Sequence, residues 1–249
     1  MDTVAQLCEQ LGSDDRIKAY QARRALAERA AVGEAERMAL AAELTDCLTA
    51  KAEVKDKKKK DPPPPRYAVA VRNEICRNLA DVAGDAQVPA LVDALADFDT
   101  REMARFALDR IPTPAATAAL ADALSKSIGV EFRVGVVNAL ARRNDPAARE
   151  ALHKAAADPS GEVRIAAAEA LALQPDSTAD AVIVVVGKEL GATSRRAAKR
   201  ADIARLRLAG TLSRAGQNDA ARGIYQALAS DGADEAQKKA AKAALEKLG

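Results

Sequence analysis

Aromatic residues, paired cysteines, histidines and long apolar runs are all scarce in this chain of 249 residues. Aromatic side chains make up 2% of it, tryptophan is absent, and there is one histidine, His153. A single histidine argues against a histidine-rich metal centre, and so few rings argue against a platform that stacks nucleic-acid bases. The longest strongly apolar run, residues 181–186, is far shorter than the roughly twenty residues of a membrane-spanning helix.

The three cysteines, Cys8, Cys47 and Cys76, are an odd number and form no CxxC pair. This spacing predicts neither a disulfide framework nor a zinc site, and we interpret the three as small buried residues. The first thirty residues carry several acidic side chains and no continuous apolar segment, so no secretory signal is expected. A cytoplasmic protein is the simplest expectation.

Charge is abundant but balanced. The 38 basic and 36 acidic side chains give a formal net charge of +2. Proteins that bind nucleic acid through its phosphates usually carry a strong basic excess, so the global balance argues against that class while leaving local patches open.

A recurring basic position organises the sequence. Each of six basic residues lies seven residues before a leucine, and successive members are 29, 32, 31, 41 and 33 residues apart: Arg72, Arg101, Arg133, Arg164, Arg205 and Lys238. A period near thirty residues, with two helical segments in each period, is typical of helical solenoids. We therefore predict an all-α fold of about seven helical pairs in a single domain, residues 1–249.

Each repeat is predicted to hold a helix A, a turn and a helix B that begins near the basic position. Residues 145–174 illustrate this: helix A begins around Pro146, residues 158–161 break the chain, and helix B runs from about Glu162 to Leu173. Ala19 occupies the basic position of the first repeat, which is expected of an atypical end cap. The lysines of the last helix predict a polar outer face for the other cap.

Two segments depart from the repeat. Residues 51–67 contain a run of four consecutive lysines (Lys57, Lys58, Lys59, Lys60) and a run of four consecutive prolines, which predicts a solvated loop inserted in the second repeat. The 41-residue step before Arg205 contains a β-branched run, residues 181–186, which we interpret as a fully buried helix A because no partner strand is predicted. A helix of five or six turns follows it and contains the densest basic patch: Arg195, Arg196, Lys199, Arg200, Arg205 and Arg207, with Asp202 opposing them.

The thirty-residue period and the recurring Val-Arg or Phe-Arg before a small residue and a leucine resemble HEAT repeats, especially their short bacterial form. The resemblance is strong over residues 68–176 and implies a right-handed α-α superhelix. It also implies a structural role for the six recurring basic residues, which we call the basic ladder. Each would hold adjacent repeats together by bonding to an acidic residue or a carbonyl near a turn, such as Asp97, Asp99 or Asp158. Enzymes of this architecture include hydroxylases with repeated His-Glu pairs, glycosylases that rely on aromatic residues, and phycobilin lyases; one histidine and no tryptophan do not support the first two, and nothing selects the third.

No catalytic motif, cofactor or metal ligand set is predicted. The resemblance implies a non-enzymatic scaffold whose concave helix-B surface binds a protein or peptide. A nucleic-acid-binding solenoid acting through residues 195–207 and 55–60 is the alternative. The candidate partner-binding residues, for an acidic peptide or a phosphate backbone, are Arg195, Arg196, Lys199, Arg200, Arg207 and Lys57–Lys60.

Overall fold

In the computed structural model, residues 2–52, 63–126, 129–231 and 235–248 are described. Helices dominate these ranges, and no strand longer than an isolated bridge between Lys51 and Pro65 occurs within them. The described residues contain fourteen α-helices: α1 Val4–Leu11, α2 Arg16–Ala30, α3 Glu34–Thr49, α4 Val69–Val82, α5 Val88–Ala96, α6 Arg101–Arg110, α7 Pro114–Lys126, α8 Val130–Ala141, α9 Pro146–Ala155, α10 Gly161–Leu171, α11 Ala179–Gly191, α12 Arg195–Arg214, α13 Asn218–Asp231 and α14 Glu235–Leu248.

The fourteen helices of the described residues confirm the all-α prediction and its seven helical pairs. Odd-numbered helices are the A helices, even-numbered helices are the B helices, and a single 3-10 turn, Asp85–Gln87, precedes α5. The chain divides into two compact units, residues 1–120 and 121–249, and the boundary falls within α7. The single domain and the right-handed superhelix stay predictions.

Local sequence signals set the helix boundaries. Asp145 caps α9 by accepting a hydrogen bond from the Ala148 amide, and Pro146 occupies the first helical position, as predicted. Ser194 caps α12 in the same manner. At the other end of α12, Gly216 adopts a left-handed φ of 79°, which lets the amides of residues 216 and 217 bond back to the last turn.

Leucines and small residues form the core of both units. Five of the six leucines that follow the basic ladder are fully buried: Leu79, Leu108, Leu140, Leu171 and Leu212. The sixth, Leu245, is only half-buried because it lies on α14, the last helix. Within the second unit the B helices α8 and α10 pack side by side, as do α10 and α12. This stacking gives the unit a continuous surface of B helices.

The β-branched run of residues 181–186 is helical, as predicted, but the expectation of a fully buried helix is wrong. Only Ala179, Ile183 and Val186 of α11 are buried, whereas Val185 is 52% exposed. The reason is geometric: α11 packs on α12 and α10, so its opposite side remains open to solvent.

Candidate functional site

The basic ladder lies on the B helices, and two of its arginines form ion pairs with acidic residues in later turns. Arg72 on α4 binds Asp97, and Arg133 on α8 forms two 3.0 Å hydrogen bonds with Asp158. In both pairs the carboxylate lies 25 residues further along the chain, after the next helix A. Asp158 also accepts a 2.7 Å bond from the Ser160 amide, so it connects the ladder to the turn before α10.

Two further arginines of the basic ladder pair with acidic residues that were not predicted from the sequence. Arg164 bonds to Glu189, again 25 residues ahead, at 2.7 Å. Arg205 instead reaches 25 residues back, to Asp180 in the first turn of α11, with bonds of 2.7 and 3.2 Å. Asp99, which had been considered as an acceptor, contributes its backbone: its carbonyl accepts a bond from the Asn73 side chain, and its amide donates one to Asp97.

The remaining ladder positions differ from these four. The Arg101 guanidinium lies 4.3 Å from the centroid of the exposed Phe98 ring. Lys238 pairs with Glu235 of its own helix at 3.5 Å, and Ala19 is a buried small residue of α2. Among the described residues, the two ends of the ladder thus differ from the four arginines that pair across 25 residues of sequence. We keep its fastening role as a proposal.

The pKa of Asp97 is lowered, chiefly by the hydrogen bond from Arg72 and then by the bond from the Asp99 amide. The Arg72 side chain is 12% exposed, so the pair is largely shielded from water on one side. Such charge-assisted bonds favour the ionised carboxylate. The stabilisation that the Arg72–Asp97 pair contributes therefore depends on pH.

More residues of the basic patch on α12 form ion pairs than the sequence predicted. Arg200 forms two 2.7 Å bonds with Glu169 of α10, and Arg205 is held by Asp180, so more acidic residues than Asp202 oppose the patch. Arg195, Arg196, Lys199 and Arg207 are exposed on α12. Lys57–Lys60, the other predicted contact residues, lie outside the described residues.

An open groove crosses the B-helix surface of the second unit. Its volume is about 740 Å³, and it is lined by α8, α10 and the first turns of α12, together with Leu190 of α11 and the turn between α11 and α12. Val134, Ile165, Ala166 and Ala197 contribute apolar surface to its lining. Among the predicted contact residues that the structure describes, Arg196 and Arg200 line this groove, while Arg195, Lys199 and Arg207 do not belong to its lining.

The groove carries both signs of charge. Glu131 of α8 and Glu162 of α10 are exposed carboxylates in its lining, and Arg196 supplies an exposed positive charge on α12. The Arg200–Glu169 pair lies beside it, because Arg200 also lines the groove. Sequence reasoning missed Glu131, Glu162 and the apolar residues, since each looks like an ordinary helix residue until α8 and α10 are placed side by side.

His153 lies on α9, and its Nε2 atom is 3.1 Å from an oxygen of Asp176. Burial would raise the pKa of Asp176, but hydrogen bonds from Thr178 and His153 outweigh that effect and lower it. The histidine therefore joins α9 to the connection that precedes α11. Among the described residues no group of three or more His, Cys, Asp or Glu is arranged to hold a metal ion, and no helix there is long and apolar enough to cross a membrane.

The comparisons with known proteins agree with the helical-repeat class that this arrangement defines. The family model for HEAT repeats matches residues 129–201, which span α8 to the start of α12. Over these residues the chain is similar to HEAT repeats. No curated protein matches its sequence.

The solved structures to which the chain is similar are distant from it. An engineered protein is 23% identical with a TM-score of 0.40, covering 100% of this chain and 97% of its own. The complex of CpcE and CpcF of phycocyanin lyase from Nostoc sp. PCC7120 is 19% identical with a TM-score of 0.44, covering 100% and 95%. Human deoxyhypusine hydroxylase is 15% identical with a TM-score of 0.39, covering 98% and 95%.

Proposed function

We propose that this protein is a non-catalytic scaffold that binds an extended segment of a partner protein in the groove formed by α8, α10 and α12. The observation that carries this proposal is the combination of apolar lining and opposite charges within one open groove. Concave sites of this kind bind through apolar contacts and gain orientation from a few polar groups.

The charges define the expected occupant. A peptide with an apolar anchor would place that side chain against Val134 and Ile165. A basic residue on one side of the anchor would face Glu131 and Glu162, and an acidic residue on the other side would face Arg196. Because both signs are present, a uniformly charged polymer is matched less well than a peptide of mixed charge.

The test is selection of random twelve-residue peptides on the purified full chain. The selected peptides should share an apolar residue flanked by opposite charges. Glu162→Arg and Arg196→Glu should each weaken binding by about tenfold, since each turns an attraction into a repulsion. Glu246→Arg and Lys242→Glu on α14 are the matched controls, because both residues are exposed and outside the groove.

Three results would refute the proposal: peptides without charge preference, equal losses in the control variants, or an absence of selected binders. Exchanging the peptide's charges should restore affinity for the charge-reversed variants. This rescue separates direct recognition from a general loss of folding.

Nucleic acid remains the competing candidate, because Arg195, Arg196 and Arg207 are exposed on one helix. Binding of duplex DNA or RNA would weaken steeply with salt, and Arg196→Glu and Arg207→Glu would weaken it uniformly across sequences. Arg200 is not a suitable probe, because its reversal would place a carboxylate beside Glu169.

A further inference from the structure

Two of the three phenylalanines of this chain lie at the surface of the first unit, in and beside one helix. Phe98 lies in the turn before α6 and is 75% exposed, and Phe106 lies on α6 and is 39% exposed. The third, Phe132, is buried. Aromatic side chains are enriched at the contacts between proteins. The peptide-binding proposal concerns the second unit and uses neither of the exposed rings.

Phe106 is the middle of a row of side chains on the outer face of α6. Glu102 precedes it by four residues, Arg110 follows it by four, and all three are exposed. Residues spaced by four are neighbours along one side of a helix. Ala104 and Leu108, on the opposite side, are buried. The outer row of α6 is therefore acidic, aromatic and basic in chain order.

Both charged residues of this row form ion pairs within the unit and remain accessible. The Arg110 guanidinium lies 3.1 Å from Asp81 of α4, and its Nε donates a 3.2 Å bond to the Ala80 carbonyl. Glu102 pairs with Arg105 at 3.0 Å. The side chains of Arg110 and Glu102 are 52% and 54% exposed. A guanidinium has more N–H donors, and a carboxylate more lone pairs, than these contacts use, so each group can bond to a further partner.

We propose that the outer row of α6 binds the same row of a second copy of this chain, in an antiparallel dimer. A twofold axis beside Phe106 reverses the row, so Glu102 of each copy faces Arg110 of the other. A parallel arrangement would instead place like charges opposite each other. Rows of residues spaced by four interlock in the commonest class of helix packing, with the two helices crossing at about 50°.

The charges of the two copies complement one another beyond the row itself. Arg105 and Glu102 of one copy would meet Arg110 and Asp81 of the other, which gives a network of four charges that alternate in sign. The twofold axis repeats this network on the other side of Phe106. Two aromatic rings at the centre of an interface, surrounded by polar contacts, form the arrangement that contributes most of the binding energy in many protein complexes.

One helix from each copy gives a small interface, so the dimer should be weak. Phe98 lies at the end of α6 that carries Glu102, and it adds apolar surface at each edge of the contact. Small interfaces are typical of reversible association. We expect a dissociation constant on the order of 10–100 µM.

Sedimentation equilibrium of the purified full chain, at concentrations from about 1 to 500 µM, measures this association. Phe106→Ser should raise the dissociation constant at least about tenfold, because it removes the central ring from both copies. Met38→Ser on α3 is the matched control, since Met38 is 65% exposed and lies outside the row. The control should leave the dissociation constant unchanged.

Charge reversal tests the pairing across the twofold axis. Glu102→Arg and Arg110→Glu should each weaken self-association at least about tenfold, because each places like charges opposite one another twice. An equimolar mixture of these two variants should associate again, since every facing pair between them has opposite signs. Exchanging the exposed pair on α2, by Arg24→Glu together with Glu28→Arg, is the control and should have no effect.

Recovery in the mixture separates direct pairing from a loss of folding, and circular dichroism verifies the helical content of each variant. A chain that stays monomeric over the whole range would overturn the proposal. So would species larger than a dimer, a dimer that Phe106→Ser and both reversals leave unchanged, or a mixture that associates no better than its components. Peptide selection on the Phe106→Ser variant tests the groove of the second unit by itself, so failure here is distinguishable from failure of the proposed peptide-binding function.

Discussion

At the scale of single residues, the ladder arginines differ from most charged side chains of this protein by their burial. Arg133 and Asp158 are each 13% exposed, whereas the i, i+4 pair of Arg24 and Glu28 is 68% and 64% exposed. Exposed pairs contribute little to stability, but breaking a shielded pair leaves an uncompensated charge. The two pairs should therefore respond very differently to substitution.

Arg133→Met should reduce the free energy of unfolding by about 3 kcal/mol, because Asp158 would lose both bonds to the guanidinium. Urea denaturation measures this, and Arg24→Met serves as the control with no measurable change expected. Combining Arg133→Met with Asp158→Asn should cost less than the sum of the single variants. Strict additivity would show that the pair does not couple.

The Arg72–Asp97 rung predicts a pH effect. The pKa of Asp97 in the folded protein lies below its ordinary value of 3.8, so the rung's contribution is present above that value and is lost as the pH falls through the folded pKa. Asp97→Asn should flatten the acid limb of a plot of unfolding free energy against pH below about pH 4. Arg72→Met should flatten it similarly, and an unchanged slope in both variants would contradict the assignment.

At the scale of helices, α11 and α12 pack unusually closely through small residues. A Cβ added to Gly187 would lie 2.7 Å from the Ala201 Cβ, and one added to Gly191 would lie 3.0 Å from the Ala198 Cβ. These glycines therefore have a packing role, although glycine is a poor helix former. The close approach of the two helices requires small residues on both, which is consistent with the buried alanines of α12.

Gly187→Ala should destabilise the protein by about 1–3 kcal/mol, because the steric conflict exceeds the gain in helix propensity. Adding Ala201→Gly should recover part of this loss. Gly223→Ala on α13 is the opposite control: no atom lies within 4 Å of its added Cβ, so it should stabilise the protein by up to about 1 kcal/mol. Thermal and urea unfolding of the three variants measures the difference, and a Gly187→Ala protein as stable as wild type would refute the close packing.

At the scale of the whole molecule, basic and acidic side chains are nearly equal in number and often paired. With a formal net charge of +2, the long-range field expected for a nucleic-acid-binding protein is weak. Fluorescence anisotropy should therefore detect no binding of duplex DNA or single-stranded RNA at 0.15 M salt. Strong binding with a steep salt slope would instead favour the nucleic-acid alternative.

Much of the architecture was predictable because the helices of a repeat protein begin and end at signals that lie close together in the sequence. The period, the prolines and the capping residues placed the seven helical pairs, and the 25-residue spacing from Arg72, Arg133 and Arg164 to their carboxylates was already present in the sequence. The same count from Arg101 reaches Lys126, so this spacing predicts no carboxylate for Arg101. The partner of Arg205 could not be predicted from this spacing. In the enlarged repeat, Arg205 bonds to Asp180 of α11, which precedes it in the sequence.

The sequence by itself determined the helices, their pairing and the positions of the ladder, since these depend on propensity and on neighbours along the chain. Only the tertiary structure decided that Arg200 and Arg205 are held by carboxylates and that Glu162 and Arg196 share one groove. Each of these arrangements joins residues from different helices. Their distances depend on how the side chains of adjacent helices interlock, which a linear spacing does not contain.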